Sequence, residues 1–554
     1  MLICILEAAL TAEEKPYRFW PEYKQTPIGE CAEQKWTPAD AVLPGWDFSL
    51  PTSVTVKSNS LLVFSRIFSL TKTPNLPPIS MKANPVLSIW VPWKELEPEE
   101  DDYRFDLLKP IIDAAAAKGY GVEIRPLTAI AKNKNQKDVG AAPSYLSSKY
   151  SVTVLQEEKQ GASIVNYDVT HPDFHRRYLK FVREFGRSGL PQNPTVKIIV
   201  VGYASPSFGD EGIGPKGMDP KDEPAHVKER LDAWAEACAG VTQKVMMCGV
   251  SEYGFSKGFG RRGGFVENYI YRIPDESIGQ YIDENGYLCV DERAPMIDHG
   301  SANGEENEEY EEKYAGPKGQ YGLTTESFPY RYFSSSLRMM QMRNNIVLLN
   351  PFSLIPELTA FVSLEMGRTV NDTADVWCFL RENRINAGTI EGKTWRSRAV
   401  SDEEKRSGVP CRNFERWLYQ RDSAGYKTEA VLPIPMPIRQ WMIQKGCDTD
   451  MIARAGEKIG FAVDDRFLPG TPQQVTFKIT FYDRVKGTLT LVWRTASGEM
   501  KYPVIAAGDD VIRTATIHTT AVFNAKDISY DFEIHSPERV PVCMVRVVKS
   551  PGNP

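Results

Sequence analysis

The sequence predicts an α/β fold: a (β/α)8 barrel over residues 46–415, preceded by an N-terminal extension, residues 1–45, and followed by an antiparallel, jelly-roll-like β-sandwich over residues 416–554. Three observations predict it. A chain of 554 residues is too long for one small domain and suits one large domain plus a smaller one. From about residue 84, short β-rich runs alternate with longer helical ones, the texture of parallel strands joined by crossover helices. After about residue 415 the helical runs stop, and short alternating strands separated by turn residues remain.

Taken in order, "LLVFSRIFS" or the stretch near Trp46 supplies strand one, and "NPVLSIWVPW" reads as strand two. "RFDLLKPIIDAAAAKGYG" is an amphipathic helix stopped at Gly119, and "VEIRPLTAI" is strand three. "HPDFHRRYLKFVREFGRSG" enters a helix through Pro172, a residue suited to a first turn because its missing N–H would be unpaired there anyway. "TVKIIVVGYA" is strand four, apolar almost throughout, as a parallel strand covered on both faces must be. "HVKERLDAWAEACAG" is the next helix and "QKVMMCGV" strand five. "GGFVENYIYRI" and "RAPMIDHG" are expected as strands six and seven, "PYRYFSSSLRMMQMRN" as a helix, "NIVLLNP" as strand eight and "ELTAFVSLEMGR" as the closing helix. Eight such units fit a barrel better than a doubly wound sheet. "VPCRNFERWLYQRD" is read as the link to the sandwich, whose strands are "QVTFKITFYD", "GTLTLVWRTA", "TATIHTTAVF", "ISYDFEIHS" and "VCMVRVVKS".

Composition excludes several function classes. The 42% hydrophobic and 25% charged residues are ordinary globular values. The net charge of −6, with no basic block, argues against nucleic acid as a partner. No run of 18 apolar residues is present, so no membrane span is expected. The opening "MLICILEAALTA" is short, lacks a basic leader and carries Glu7; it reads either as the remnant of a signal peptide or as a first helix or strand, and a secreted or periplasmic location is the expectation. The nine cysteines are scattered and never spaced as CxxC, which disfavours a disulfide framework and a zinc site and leaves small buried thiols as the reading. No Gly-rich phosphate loop follows a strand, so no cofactor is expected. The sequence sets no oligomeric state.

In a (β/α)8 barrel the working residues lie at the C-terminal ends of the strands, where all eight βα loops surround one pocket. After strand four comes "SPSFGDEGIG", with Asp210 and Glu211; after the expected strand seven comes "SANGEENEEYEEKY", with Glu305, Glu306, Glu308 and Glu309. Two carboxyl positions facing one pocket are what glycoside hydrolysis needs: one protonates the leaving oxygen while the other attacks, or guides water to, the anomeric carbon.

Here the chain resembles the large retaining clan of (β/α)8-barrel glycoside hydrolases. The segment "IWVPWKELEPEEDDYRFDLLKPIIDAAAAKGYGVEIRP" is similar to the second-strand region of β-galactosidase-like and agarase-like members, through Trp93, Glu97, Pro98, Phe105, Asp106 and Arg125. The likeness extends over roughly residues 84 to 385. It implies an acid/base Glu after strand four, Glu211, and a nucleophile Glu after strand seven, Glu306 or Glu308, with a poly- or oligosaccharide as partner. The pattern departs from the family at Asp210, where an Asn ordinarily precedes the acid/base. The plainer alternatives stay open: Glu211 as a solvated loop carboxylate, and the acidic run as a solvated or cation-binding loop. Trp93, Tyr203, Tyr253 and Tyr269 are candidate sugar-stacking rings, or core packing. Arg125, Asp210, His299 and Asn307 are candidate hydroxyl contacts, whereas His171 and His175 read as structural. Glu365 falls within the closing helix by its spacing. The competing class is a non-catalytic carbohydrate-binding protein on a degenerate barrel, and a weaker third is a structural surface protein serving adhesion.

Overall fold

The computed structural model describes residues 43–67, 70, 82–128, 130–133, 141–159, 162–202, 205–207, 210–212, 225–249, 251–265, 279–307, 328–349, 356–385, 401–435, 449–523 and 529–550. The N-terminal "MLICILEAALTA" lies outside them.

Eight parallel strands close into a barrel in sequential order: β1 (Leu61–Ile67), β2 (Pro85–Pro92), β3 (Gly121–Leu127), β4 (Val196–Val201), β5 (Val245–Cys248), β6 (Gly260–Phe265), β7 (Gly304–Asn307) and β8 (Ile346–Leu349), with β8 pairing back onto β1. Two-residue alternation sorts their side chains. Leu87, Ile89 and Val91 of β2, Val122 and Ile124 of β3 and Ile199 and Val201 of β4 pack outward under the helices. Leu61, Val63, Val86, Ile198, Val200, Met246, Ile346 and Leu348 form an apolar plug inside. The barrel is therefore a filled core, and chemistry is confined to its rim.

The crossover helices are α1 (Lys109–Ala117), α2 (Pro172–Arg187), α3 (Ala225–Ala237), α4 (Glu252–Ser256), α5 (Pro295–Asp298), α6 (Phe328–Gln341) and α7 (Pro356–Glu365). Helix α1 ends before Gly119, whose φ of +76° is the left-handed turn that a side chain would strain. Helix α2 is capped by His171, whose ring nitrogen accepts from the Asp173 N–H at 3.2 Å, and starts at Pro172. It buries Phe174, Tyr178, Phe181, Val182 and Phe185, one face at helical spacing. A three-stranded antiparallel sheet formed by Ile130–Asn133, Val154–Lys159 and Ala162–Tyr167 is inserted between β3 and α2.

Two barrel strands fall elsewhere than the sequence pattern places them. "RAPMIDHG" contains the short helix α5, begun at Pro295, and strand seven is the polar "GEEN" that follows. Strand six is "GRRGGF", which shares Gly263–Phe265 with the expected "GGFVENYIYRI"; the rest of that stretch lies outside the described residues. Gly260 is required there by close approach, since a Cβ at that position would stand 1.8 Å from the Ala302 carbonyl oxygen. In both cases the strand carries the residue types of a turn, and close backbone approach accounts for the glycine that opens each of them, Gly260 and Gly304.

The antiparallel region opens at β9 (Asp375–Ile385), and the segment read as a link is itself strand β10 (Val409–Arg416) and β11 (Leu418–Gln420). It continues as β12 (Glu429–Pro435), β13 (Thr449–Ala455), β14 (Lys458–Val463), β15 (Gln473–Asp483), β16 (Gly487–Thr495), β17 (Gly498–Ala506), β18 (Val511–Ala521), β19 (Phe532–His535) and β20 (Val542–Lys549). One sheet runs β10-β9-β13-β20-β15-β18, with β12 beside β13; the other runs β11-β14-β19-β16-β17. Both sheets contribute to one apolar cluster, in which Val376, Cys378 and Leu380 of β9 meet Ile459 and Phe461 of β14 and Leu489 and Leu491 of β16. The alternate residues of β9, Trp377 and Phe379, pack the other way, against Tyr332, Phe333 and Leu337 of α6 and Phe361 of α7.

Candidate active site

A closed parallel barrel brings every strand's C-terminal end to one face. Beyond β4 the chain forms a small hairpin, Ser205–Ser207 with Asp210–Gly212, in which Glu211 is in register with Pro206 and Asp210 with Ser207. Glu305, Glu306 and Asn307 are on β7 itself, in register with Val347, Leu348 and Leu349 of β8. The backbones of Asp210 and Glu211 thus follow strand four, and those of Glu306 and Asn307 occupy the last two positions of strand seven.

Just above the apolar plug the strand ends become polar. On β2 and β3, Ser88 is in register with Glu123 and Trp90 with Arg125. The Ser88 hydroxyl donates to the Glu123 carboxylate, and Ser88 Oγ accepts from Trp90 Nε1 at 2.8 Å. The Arg125 guanidinium lies 4.1 Å from the Trp90 ring centroid and reaches Cys248 Sγ of β5 at 3.5 Å. Arg262 of β6, also buried, is in register with Cys248. Charges taken out of water are tolerated where they are hydrogen-bonded or stacked, and strong local fields are the result. None of Ser88, Trp90, Glu123, Cys248 or Arg262 was singled out from the sequence, though a signal is present: in "VLSIWVP" and "GVEIRP" polar or amphipathic residues alternate with buried aliphatic ones, so the second face of each strand cannot be ordinary core.

The other predicted contacts are dispersed. Trp93 is fully buried outside the barrel, packed on Phe174, Tyr178 and Phe181, and so offers no open ring face. Its Nε1 donates to Glu97 at 2.8 Å, and Glu97 pairs with the buried Arg177 of α2, which also reaches Asp101 at 2.6 Å and the Tyr145 hydroxyl at 3.3 Å. Hydrogen bonding from Lys180, and then Arg177, holds the Asp101 carboxyl down at about 2, while burial and the Glu97 charge push the Tyr145 phenol up. Phe105 joins the same core and Asp106 is exposed. The motif that carries the family likeness is therefore mainly a structural latch, with Arg125 its member at the rim. Tyr253 lies on α4, donating to Asp232 at 2.9 Å, with Lys257 4.6 Å from its ring. His299 follows α5 and precedes β7, so it is exposed at the strand's entry and not at its C-terminal end. Tyr203, Tyr269 and Glu308 lie outside the described residues. Among the described residues no group of three or more His, Cys, Asp or Glu is arranged to hold a metal ion.

Residues 80–188, which contain β2, α1, β3 and α2, match the Glyco_hydro_42 family, beta-galactosidase. The resemblance read from "IWVPWKELEPEE" is borne out at that place. No curated protein matches the chain. Among solved structures it is similar to a GH5_18 protein from Streptomyces cattleya in complex with GlcNAc, at 14% identity and a TM-score of 0.19, over 29% of this chain and 35% of that one. The chain thus spans about a third of that protein's length. It is also similar to the beta-galactosidase from Rahnella sp. R3, at 13% identity and a TM-score of 0.24, over 40% and 41%. A GH30 endoxylanase from Clostridium papyrosolvens C71 aligns at 9% identity and a TM-score of 0.32, over 90% and 98%. The barrel assignment itself rests on the closed order of the eight strands.

Proposed function

We propose that this chain is a glycosidase that cleaves a poly- or oligosaccharide with retention of anomeric configuration, using Glu211 as acid/base and Glu306, or alternatively Glu308, as nucleophile. The observation that carries the proposal is the family match over residues 80–188 on a closed barrel, with Asp210 and Glu211 following strand four and Glu305 and Glu306 on strand seven in the chain. In this reading Glu211 protonates the glycosidic oxygen as the nucleophile attacks C1, forming a glycosyl ester; Glu211 then takes a proton from water as water displaces the ester. The acid needs apolar walls to stay protonated, and the nucleophile needs donors to stay ionised. Buried guanidiniums at the rim, Arg125 and Arg262, supply a field that favours a carboxylate.

The two antiparallel sheets are read as a β-sandwich appended to the barrel, with β9 and β10, ahead of residue 416, built into its first sheet. A secreted or periplasmic location belongs to the same proposal, because polymeric glycans are met outside the cytoplasm. One observation favours the alternative of a glycan-binding protein without turnover: Asp210 stands where the family has Asn. The test is release of reducing ends from a polysaccharide panel, followed by NMR of the first-formed anomer. Hydrolysis with net retention is expected. Hydrolysis with inversion contradicts the mechanism, and binding without hydrolysis favours the alternative.

A further inference from the structure

We infer that Tyr178 of α2 is a positioning residue for the acid/base: together with the inserted strand Ala162–Tyr167, it fixes the backbone that carries Glu211. The inference rests on the reading of Glu211 as the acid/base and deepens it, by assigning what holds that residue in place.

Strand β4 runs to Val201, which is in register with Met247 of β5, and Gly202 lies one residue past that last paired position. Gly202 is buried, and a buried carbonyl beyond the ladder needs another donor. The Tyr178 hydroxyl supplies it, donating to the Gly202 carbonyl at 2.7 Å. Its neighbours settle the direction of that bond. Trp234 Nε1 of α3 reaches the same phenol oxygen at 3.1 Å; an indole N–H only donates and a carbonyl only accepts, so the phenol accepts from the first and donates to the second. Tyr178 and Trp234 are both buried in the outer core with Phe174, Phe181 and Phe185, which gives the hydroxyl a fixed place from which to hold the exit of β4.

The hairpin beyond that exit is too small to hold itself. Its two strands of three residues, Ser205–Ser207 and Asp210–Gly212, make a pairing that is marginal without further support. Support comes from both sides: Asp210–Gly212 lies within 8 Å, Cα to Cα, of β5, and Ser205–Ser207 within the same distance of Ala162–Tyr167. Ala162–Tyr167 is the central strand of the inserted sheet, paired with Ile130–Asn133 and with Val154–Lys159. Its last residue, Tyr167, is buried in the same core as Tyr178, and the Asp168 N–H that follows donates to the Thr153 carbonyl at 2.8 Å. From Ala162 through α2 the chain is thus one continuous frame that meets the Glu211 hairpin twice, at its root and along Ser205–Ser207. Proton transfer depends on such support, because a misplacement of about 1 Å in a reacting group can cost about 10²-fold.

The test uses the full chain. Backbone hydrogen exchange over residues 205–212 is read beside hydrolysis of lactose, cellobiose, xylobiose and mannobiose, and of the dinitrophenyl glycoside of the preferred sugar. Tyr178→Phe keeps the ring and removes the bond to Gly202, whereas Trp234→Phe removes a bond of the same buried cluster and leaves that one. Tyr178→Phe is expected to speed exchange over 205–212 about ten-fold and to slow the preferred disaccharide about ten-fold, with the dinitrophenyl glycoside, whose leaving group needs no proton, changed by less than about two-fold. Trp234→Phe is expected to do neither. Val165→Pro removes a ladder N–H from the central inserted strand; it is expected to act as Tyr178→Phe does, and it covers the case in which that variant does not fold. Unchanged exchange over 205–212, equal effects in Trp234→Phe, or equal slowing of both substrate types overturns the inference. Glu211→Gln in the same assays separates the two readings. A leaving-group dependence seen in Glu211→Gln but missing from Tyr178→Phe removes only the positioning role; none in Glu211→Gln, or a wild-type chain that hydrolyses none of the sugars, removes the acid/base and the positioning role with it.

Discussion

At Glu357, in the first turn of α7, burial decides the protonation state. The side chain sits near Asp47, Lys478 and Arg546, and one of its carboxyl oxygens has no hydrogen-bond partner among the described residues. Burial first, and the Asp47 charge second, push its pKa up to about 8 from an ordinary 4.5. A carboxyl raised on folding favours the folded state below its unfolded pKa, and that contribution is lost as pH climbs through the folded value. Wild-type melting temperature should therefore fall relative to Glu357→Gln between pH 4.5 and 8, with parallel profiles counting against it. Glu211 carries the chemical prediction at this scale. Glu211→Gln should slow natural glycosides by about 10²–10⁴-fold while sparing activated aryl glycosides, whose leaving groups need no proton; equal losses on both would remove it as the acid. Single residues were the hardest features to read from sequence. Trp93 and Trp90 lie three positions apart in one aromatic string, and only the pairing of β2 with β3 shows which one faces the rim.

For the elements, the β2–α1–β3–α2 unit is held by a buried charge rather than by apolar packing alone. Arg177 has a side chain 2% exposed and Glu97 one that is 0% exposed. Removing one partner of such a pair leaves the other desolvated and uncompensated, which costs about 3–5 kcal/mol. Arg177→Met should lower unfolding free energy by about that amount in urea titration; a loss below about 1 kcal/mol, the range of an exposed pair, would show that Glu97 finds another partner. Helices and apolar strands were legible because burial writes a periodic pattern: Phe174, Tyr178, Phe181 and Phe185 for α2, the run Val196–Val201 for β4. Strands β6 and β7 were not, since Gly260 and Gly304 answer to close backbone approach and the charged residues beside them break the apolar pattern. Polar residues at strand ends hide a strand where function overrides patterning.

On the scale of the molecule, the first antiparallel sheet and the barrel share one core. Trp46 and Phe48 of the N-terminal segment pack with Phe333 and Phe361, and Trp377, Phe379 and Phe414 of the sheet cover the same helices. Ion pairs cross the seam: Glu365 of α7 accepts from Arg416 Nη1 at 3.0 Å, and Lys478 of β15 reaches Asp47 at 2.6 Å. The change from helical to strand-only texture was visible in the sequence, but this shared core was not, because alternation along β9 looks the same whichever surface each face meets. Uncovering each large side chain forfeits roughly 1.5–3 kcal/mol, and with this many the total rivals the ~5–15 kcal/mol stability of a whole domain. A chain ending at residue 371 should therefore be insoluble or lack a cooperative melt. A sharp thermal transition in that fragment would show the barrel to be independent.

The central claim is that a carboxylate of strand seven becomes covalently bonded to the sugar. A 2-deoxy-2-fluoro glycoside with an activated leaving group, matched to whichever sugar the chain hydrolyses, slows the second displacement more than the first and traps the ester. Tryptic digestion leaves residues 294–313 in one peptide, from Ala294 to Lys313. A single fluoro-sugar adduct on that peptide, at Glu306 or Glu308, is the predicted result. Adduct on another peptide, or full inactivation without any adduct, would contradict the assignment.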